Sequence, residues 1–268
     1  MVIGLSHFPV IGQEPTSIPL NCSLIKTLDV KADHISTDYL GHIYIILDDQ
    51  LSKYDTKGDL IATYSNKYLG KISMIDASNP LRVLVFYQDF GQLVFLDDML
   101  SLIGDPIVLE ELGMDQSTLA CISVNDGIWL YGPQDFKLIR MDRNLKVTGE
   151  VYQVNQLVGT IVEPVFLLEK DNLVYLNNPG TGILVFDIFG AYIKTIPLEI
   201  SNEFQVIRNT IFYYNNQGFH TYDLSLFNLA RYDIPGALNH ITSVRIEMGK
   251  GLLVVQKETR IELMIIGD

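Results

Sequence analysis

An apolar residue followed by aspartate, a turn and another short strand-like run recurs five times along this chain of 268 residues. The copies read Tyr54-Asp55-Thr56-Lys57-Gly58, Leu96-Asp97-Asp98-Met99-Leu100, Met141-Asp142-Arg143-Asn144-Leu145, Phe186-Asp187-Ile188-Phe189-Gly190 and Tyr222-Asp223-Leu224-Ser225-Leu226. Their aspartates stand at 55, 97, 142, 187 and 223, at intervals of 42, 45, 45 and 36 residues. A period of this size marks a supersecondary unit whose apolar face is covered by the next copy of itself. The aspartate has a local task. Where a strand ends and the chain turns within a few residues, its carboxylate accepts hydrogen bonds from amides just ahead of it. These aspartates therefore read as hairpin punctuation rather than as catalytic groups.

A second hairpin precedes each aspartate turn, its connection rich in the Asp, Asn, Gly and Pro that tight reversals need. Examples are Asp48-Asp49, Gln88 to Gly91, Gly132 to Asp135, Asn177 to Gly180 and Asn215 to Gln217. A shorter apolar run stands before each pair: Ile35 to Thr37, Ile72 to Ile75, Leu119 to Val124, Val165 to Leu168, Phe204 to Ile207 and Ile241 to Ile246. Runs with helical spacing are nearly absent. Four short antiparallel strands per unit make one blade of a β-propeller. The last unit stops one strand short, and Ser23 to Val30 near the start is unassigned and strand-like. That N-terminal strand is expected to complete the last blade and close the ring, which removes exposed sheet edges. The prediction is an all-β, six-bladed propeller of four-stranded antiparallel blades. Cys22 then falls at the outer rim of the sixth blade and Cys121 on the inner strand of the third, too far apart to bridge.

Acidic residues outnumber basic ones by 32 to 19, for a formal charge of −13. Lys and Arg nowhere gather into the stripe that a phosphate backbone requires, so nucleic acid is excluded as a partner. No apolar run reaches the length of a membrane-spanning helix. Met1 to Ile11 is apolar and gives way abruptly to Gly12-Gln13-Glu14-Pro15, like the back half of a signal peptide without its basic start. Residues 1–19 are accordingly read as a signal-peptide remnant or disordered tail, and 20–268 as one propeller domain. The expected location is periplasmic or otherwise exported, with a cytoplasmic protein as the alternative. The expected state is a monomer.

The apolar-Asp-turn hairpin resembles the NHL, YncE and TolB-like group of propellers over about residues 20 to 268. With the signal-like start, the chain is similar to short exported propellers of the Bacteroidetes. The single Trp129 and the missing Trp-Asp and Gly-His marks exclude a regular WD40 array. The resemblance implies a binding platform for most members, and for a minority a lyase or hydrolase that uses a metal in the channel.

No nucleophile motif or phosphate loop is present, and no cofactor is expected. His34 and His240 fall in blade-to-blade connections of neighbouring blades, where they either face each other across the channel mouth or, as the leading reading, stand as two solvated loop histidines. Asp33, Glu163 and Glu203 stand at the entry of inner strands and are the candidate ligands if a metal is held. Otherwise no metal site is expected. The longest connections, 109–118 and 153–163, carry Leu112, Met114, Leu157, Val158 and Ile161. With Phe90 and Asn178 in nearby turns, these suggest a surface for a protein or peptide partner, loops on a rigid scaffold being where binding concentrates. The competing reading folds these loops back as a plug. The leading expectation is a non-enzymatic binding or scaffolding propeller using this loop-rich face. The alternative is a metal-dependent lactonase or lyase acting at the central channel. Carbohydrate sensing through the turn asparagines and 14 tyrosines is a weaker third.

Overall fold

The computed structural model describes residues 17–235 and 240–267. Six antiparallel sheets follow one another along the chain as residues 34–65, 74–108, 119–151, 166–196, 204–233 and 241–266, here blades one to six. The inner strands are His34–Thr37, Met74–Asp76, Leu119–Ser123, Phe166–Lys170, Phe204–Ile207 and Ile241–Glu247. In each blade the next strands pair outward in simple meander order. Cys22–Leu28 pairs antiparallel with Ile261–Ile266 as the outermost strand of blade six, so the ring closes as expected. Cys22 and Cys121 are free thiols, on the outermost strand of blade six and the inner strand of blade three.

The ring is fastened twice. Ser17–Pro19 pairs in parallel with Arg231–Asp233 at the rim of blade five, before the chain crosses to blade six. The ordered sheet thus begins three residues ahead of the domain boundary placed at residue 20. The rest of the expected leader, 1–16, lies outside the described residues.

The aspartate turns are built as their chemistry dictates. Asp55 Oδ1 accepts from the amides of Lys57 and Asp59, both at 2.8 Å. Asp97, Asp142 and Asp187 repeat this pattern with the amides two and four residues ahead. Asp223 reaches Ser225 and Leu226, its turn being one residue longer. A sixth copy, at Asp38, joins the first two strands of blade one. The residue three beyond the aspartate is left-handed: Gly58, Leu100, Leu145, Gly190 and, after Asp38, Gly41. A turn ending in such a residue produces the bulge that matches strand twist, and the ladders slip at Lys53/Tyr54, Arg140/Met141 and Val185/Phe186.

The core is divided into layers between consecutive blades. Tyr44, Ile46 and Leu51 meet Ile75, Val83 and Val85 between blades one and two. Trp129, Tyr131 and Leu138 meet Val174, Leu176 and Phe186 between blades three and four. Apolar packing is non-directional, and buried polar latches fix the angle between blades. Glu169 of blade four accepts from Ser123 Oγ at 2.5 Å, Trp129 Nε1 at 2.6 Å and the Val124 amide at 2.9 Å of blade three. Asp76 of blade two accepts from the Ile122 amide of blade three. Gln205 of blade five exchanges two hydrogen bonds with the Ile246 backbone of blade six. Lys53, buried in blade one, donates to the Asp98 carbonyl of blade two at 2.8 Å. No described helix is long and apolar enough to cross a membrane.

Candidate functional site: the channel and the two faces

The inner strands surround a channel with a recess at each end. The mouth on the side of the blade-to-blade connections is a cavity of about 300 Å3. Three charged side chains from three neighbouring blades converge there: His34 opens the inner strand of blade one, Glu203 immediately precedes that of blade five, and Arg245 lies within that of blade six. His34 Nε2 is 3.3 Å from Glu203 Oε2, and Arg245 Nη1 is 3.7 Å from the same oxygen. The first contact is an ion-pair distance without hydrogen-bond geometry, for His34 Nε2 is buried with no hydrogen-bond partner. Arg245 Nε is buried in the same condition. Asp33 also lines this mouth, its Oδ2 accepting from the Asp48 amide at 2.8 Å.

Farther along the channel, Phe166 and Phe204 pack edge to face with centroids 5.2 Å apart. The opposite recess, about 130 Å3, is lined by Thr37, Asp76, Gln205 and Glu247 among others. Its carboxylates are already engaged. Glu247 accepts from Thr37 Oγ1 and from Gln205 Nε2, and Asp76 holds two amides. Burial pushes the Glu247 carboxyl above its ordinary range, and the hydrogen bond from Thr37 opposes that only in part.

Several expectations require correction. His240 does not face His34. It is exposed and lies 3.2 Å from Glu258, outside the mouth lining. Glu163 does not join Asp33 and Glu203 at the mouth, and its amide is held by Asn178 Oδ1 at 2.7 Å. Among the described residues, no three His, Cys, Asp or Glu side chains stand where a metal ion could be held. Asn178 is buried and serves the fold by bonding the backbone at Ile161 and Glu163. Met114 is 5% exposed and packs with Leu130 and Ile139, while Leu112 rests partly buried on the same cluster. Val158 packs partly buried against the layer around Trp129. The connection at 109–118 thus packs onto the layer between blades two and three, and none of its residues lines either channel recess. Ile161, 71% exposed, with Leu157 and Phe90, stays on the surface.

Two features escaped the sequence reading. Arg245 is the one arginine in an inner strand, and that placement was the available signal. The second lies on the opposite face, where the aspartate turns and first hairpins project. Leu226 is 75% exposed and Phe227 68%, and Tyr39, Leu81, Phe189 and Met248 are exposed with them. Turn positions normally hold polar residues, and the runs Ile188-Phe189 and Leu226-Phe227 break that rule in plain sight.

In comparisons with known proteins, no protein family and no curated relative is matched by the sequence. Solved structures are matched in fold. The WD40 domain of Neurospora crassa Pan2 superposes with a TM-score of 0.62 at 12% identity, over 95% of this chain and 98% of that one. A catalytically inactive variant of virginiamycin B lyase from Staphylococcus aureus, with quinupristin, gives 0.59 at 13%, over 90% and 99%. BamB from Moraxella catarrhalis gives 0.54 at 10%, over 91% and 98%. At such identities the likeness defines the class, a β-propeller, and goes no further.

Proposed function

We propose that this propeller is a binding platform for a protein or peptide partner. The observation that carries the reading is the set of exposed aromatic and aliphatic side chains held on rigid turns, foremost Phe189, Leu226 and Phe227. Rigid apolar anchors lose little conformational entropy on binding and dominate interface energetics. On the hairpin-turn face Phe189, Leu226 and Phe227 stand out from short turns, whereas the loop-rich face turns Met114 and part of Leu112 inward and keeps Tyr68, Phe90, Leu157 and Ile161 exposed. The aspartate turns support placing the chain near the NHL, YncE and TolB-like propellers. The apolar run at Met1 to Ile11 and the polar residues after it support an exported protein, and the pairing of Ser17–Pro19 supports one domain from residue 17 onward, acting as a monomer.

The test is cross-linked recovery of partners from the native organism with paired charge substitutions. Phe189→Glu with Leu226→Glu is expected to lose the partner, while Phe90→Glu with Ile161→Glu retains it. The reverse result moves the interface to the loop-rich face. Equal recovery from both variants refutes the platform.

A second reading is an enzyme acting at the channel mouth. It is favoured by His34 lying 3.3 Å from Glu203 in the channel mouth, a candidate base beside a carboxylate. The fold neighbour virginiamycin B lyase is inactivated by a histidine-to-alanine substitution. Turnover of a substrate that His34→Ala abolishes would establish this reading.

A further inference from the structure

The channel mouth holds charges that a surface platform does not use. The Arg245 side chain is 13% exposed, its ion pair is with Glu203 at 3.7 Å, and its charge also reaches Glu247 two residues on. Among the described residues its guanidinium makes no hydrogen bond, and Nε is buried without a partner. A guanidinium carries five N–H donors in a planar fork. A buried N–H without an acceptor, as at Nε, costs free energy, and this largely covered guanidinium beside the cavity has donors open to an acceptor that the chain itself does not supply. The fork fits a carboxylate, which it grips with two parallel hydrogen bonds.

The neighbouring charges restrict what that acceptor belongs to. Asp33 and Glu203 line the same cavity, two carboxylates against one guanidinium. A simple anion would meet net negative charge, and a simple cation would leave the arginine as unsatisfied as before. A molecule carrying both charges a few ångströms apart answers both requirements. Ser243, Thr242 and Asn202 add neutral hydroxyl and amide groups to the wall. The cavity of about 300 Å3 has the share of liquid volume of about ten waters, enough for a small or medium amino acid and too little for a folded segment.

We propose that the upper channel mouth binds a free amino acid, its carboxylate on Arg245 and its ammonium group between Glu203 and Asp33. The His34 ring flanks the carboxylate side.

The test is isothermal titration of the full chain with the common proteinogenic amino acids, and with acetate and methylammonium as half-molecules. At least one amino acid is expected to bind about tenfold or more tightly than either half. Arg245→Gln is expected to weaken that binding by about tenfold or more, and Glu203→Gln to weaken it as well. Arg245→Lys keeps the charge without the fork and should fall between Arg245→Gln and the unaltered chain. Far-UV circular dichroism establishes that each variant is folded. If Arg245→Gln fails to fold, Arg245→Lys and Glu203→Gln carry the comparison. Leu60→Gln, exposed on the outermost strand of blade one, should leave affinity unchanged. The proposal is overturned if no amino acid binds at about 10 mM, if a half-molecule binds as tightly as the best amino acid, or if folded Arg245 and Glu203 variants bind undiminished. Because the surface variants and the channel variants are separate, loss of the partner surface and loss of this site are told apart.

Discussion

Replacing Glu169 with alanine measures what a buried inter-blade latch contributes. Its carboxylate takes three hydrogen bonds across the boundary of blades three and four, from Ser123 Oγ, Trp129 Nε1 and the Val124 amide. Ser123 can rotate its hydroxyl proton toward another acceptor, while its oxygen keeps the bond it accepts from Arg140 Nε at 2.7 Å. The indole and the amide have no such freedom. A buried donor left without an acceptor costs about 1–3 kcal/mol, so the alanine variant should lose about 3–5 kcal/mol. That is a large share of the roughly 5–15 kcal/mol that holds a domain together. Glu169→Gln keeps one acceptor oxygen but turns an amide toward a donor, and should lose about half as much. The assay is urea unfolding followed by circular dichroism and by fluorescence. Trp129 is the only tryptophan, so fluorescence reports on this boundary itself. Coincident transitions give a single global loss, whereas an earlier fluorescence transition means that blades three and four part first. A loss below about 1 kcal/mol for Glu169→Ala, or equal losses for both variants, refutes the reasoning.

Three further outcomes are expected. Leu145 and Leu100 occupy the same left-handed turn position, where a side chain costs about 1 kcal/mol. Leu145 is half-buried and Leu100 buried, so Leu145→Gly should change the melting temperature little or raise it, and Leu100→Gly should lower it by several degrees. Equal shifts would mean that the burial of Leu100 contributes nothing, and a clear fall for Leu145→Gly would mean that strain at these turns is negligible. The folded Glu247 carboxyl holds its proton above the ordinary value of 4.5, whereas the unfolded chain releases it near that value. Stability from this group is therefore present below the unfolded pKa and lost as pH rises through the folded one. Glu247→Gln removes the loss, so its urea midpoint relative to the unaltered chain should rise between about pH 4 and about pH 7; a flat difference counts against the burial argument. Lys53 is buried, its amine lowered in pKa chiefly by desolvation and bonded to a single carbonyl. Lys53→Met exchanges that amine for an apolar group of similar length and should cost less than about 1.5 kcal/mol in denaturant. A loss above about 3 kcal/mol would show that the Asp98 carbonyl depends on the amine.

The blade count, the meander order and the ring closure were legible in the sequence because they rest on short-range chemistry. An aspartate bonding amides two and four residues ahead, as Asp55, Asp97, Asp142 and Asp187 do, involves only a few consecutive residues. Its recurrence marks five of the six blades. The incomplete last unit and the spare strand at Cys22–Leu28 then allow one simple closure. The turn at Asp38 has the same wording but was passed over, because it joins a different pair of strands.

The functional surfaces depended on what lies across a blade boundary. Met114 and Ile161 are both apolar residues in long connections, and only packing shows that one is sealed against Leu130 while the other faces solvent. His34 and His240 look alike as loop histidines. One sits in the channel mouth beside Glu203, and the other pairs with Glu258 outside it. Arg245 joins Glu203 and His34 only when blades five, six and one meet around the channel. In a repeat fold each unit writes its own hairpins locally. The channel instead belongs to the whole ring, because its charges come from strands that are distant in sequence and meet only when the ring has closed.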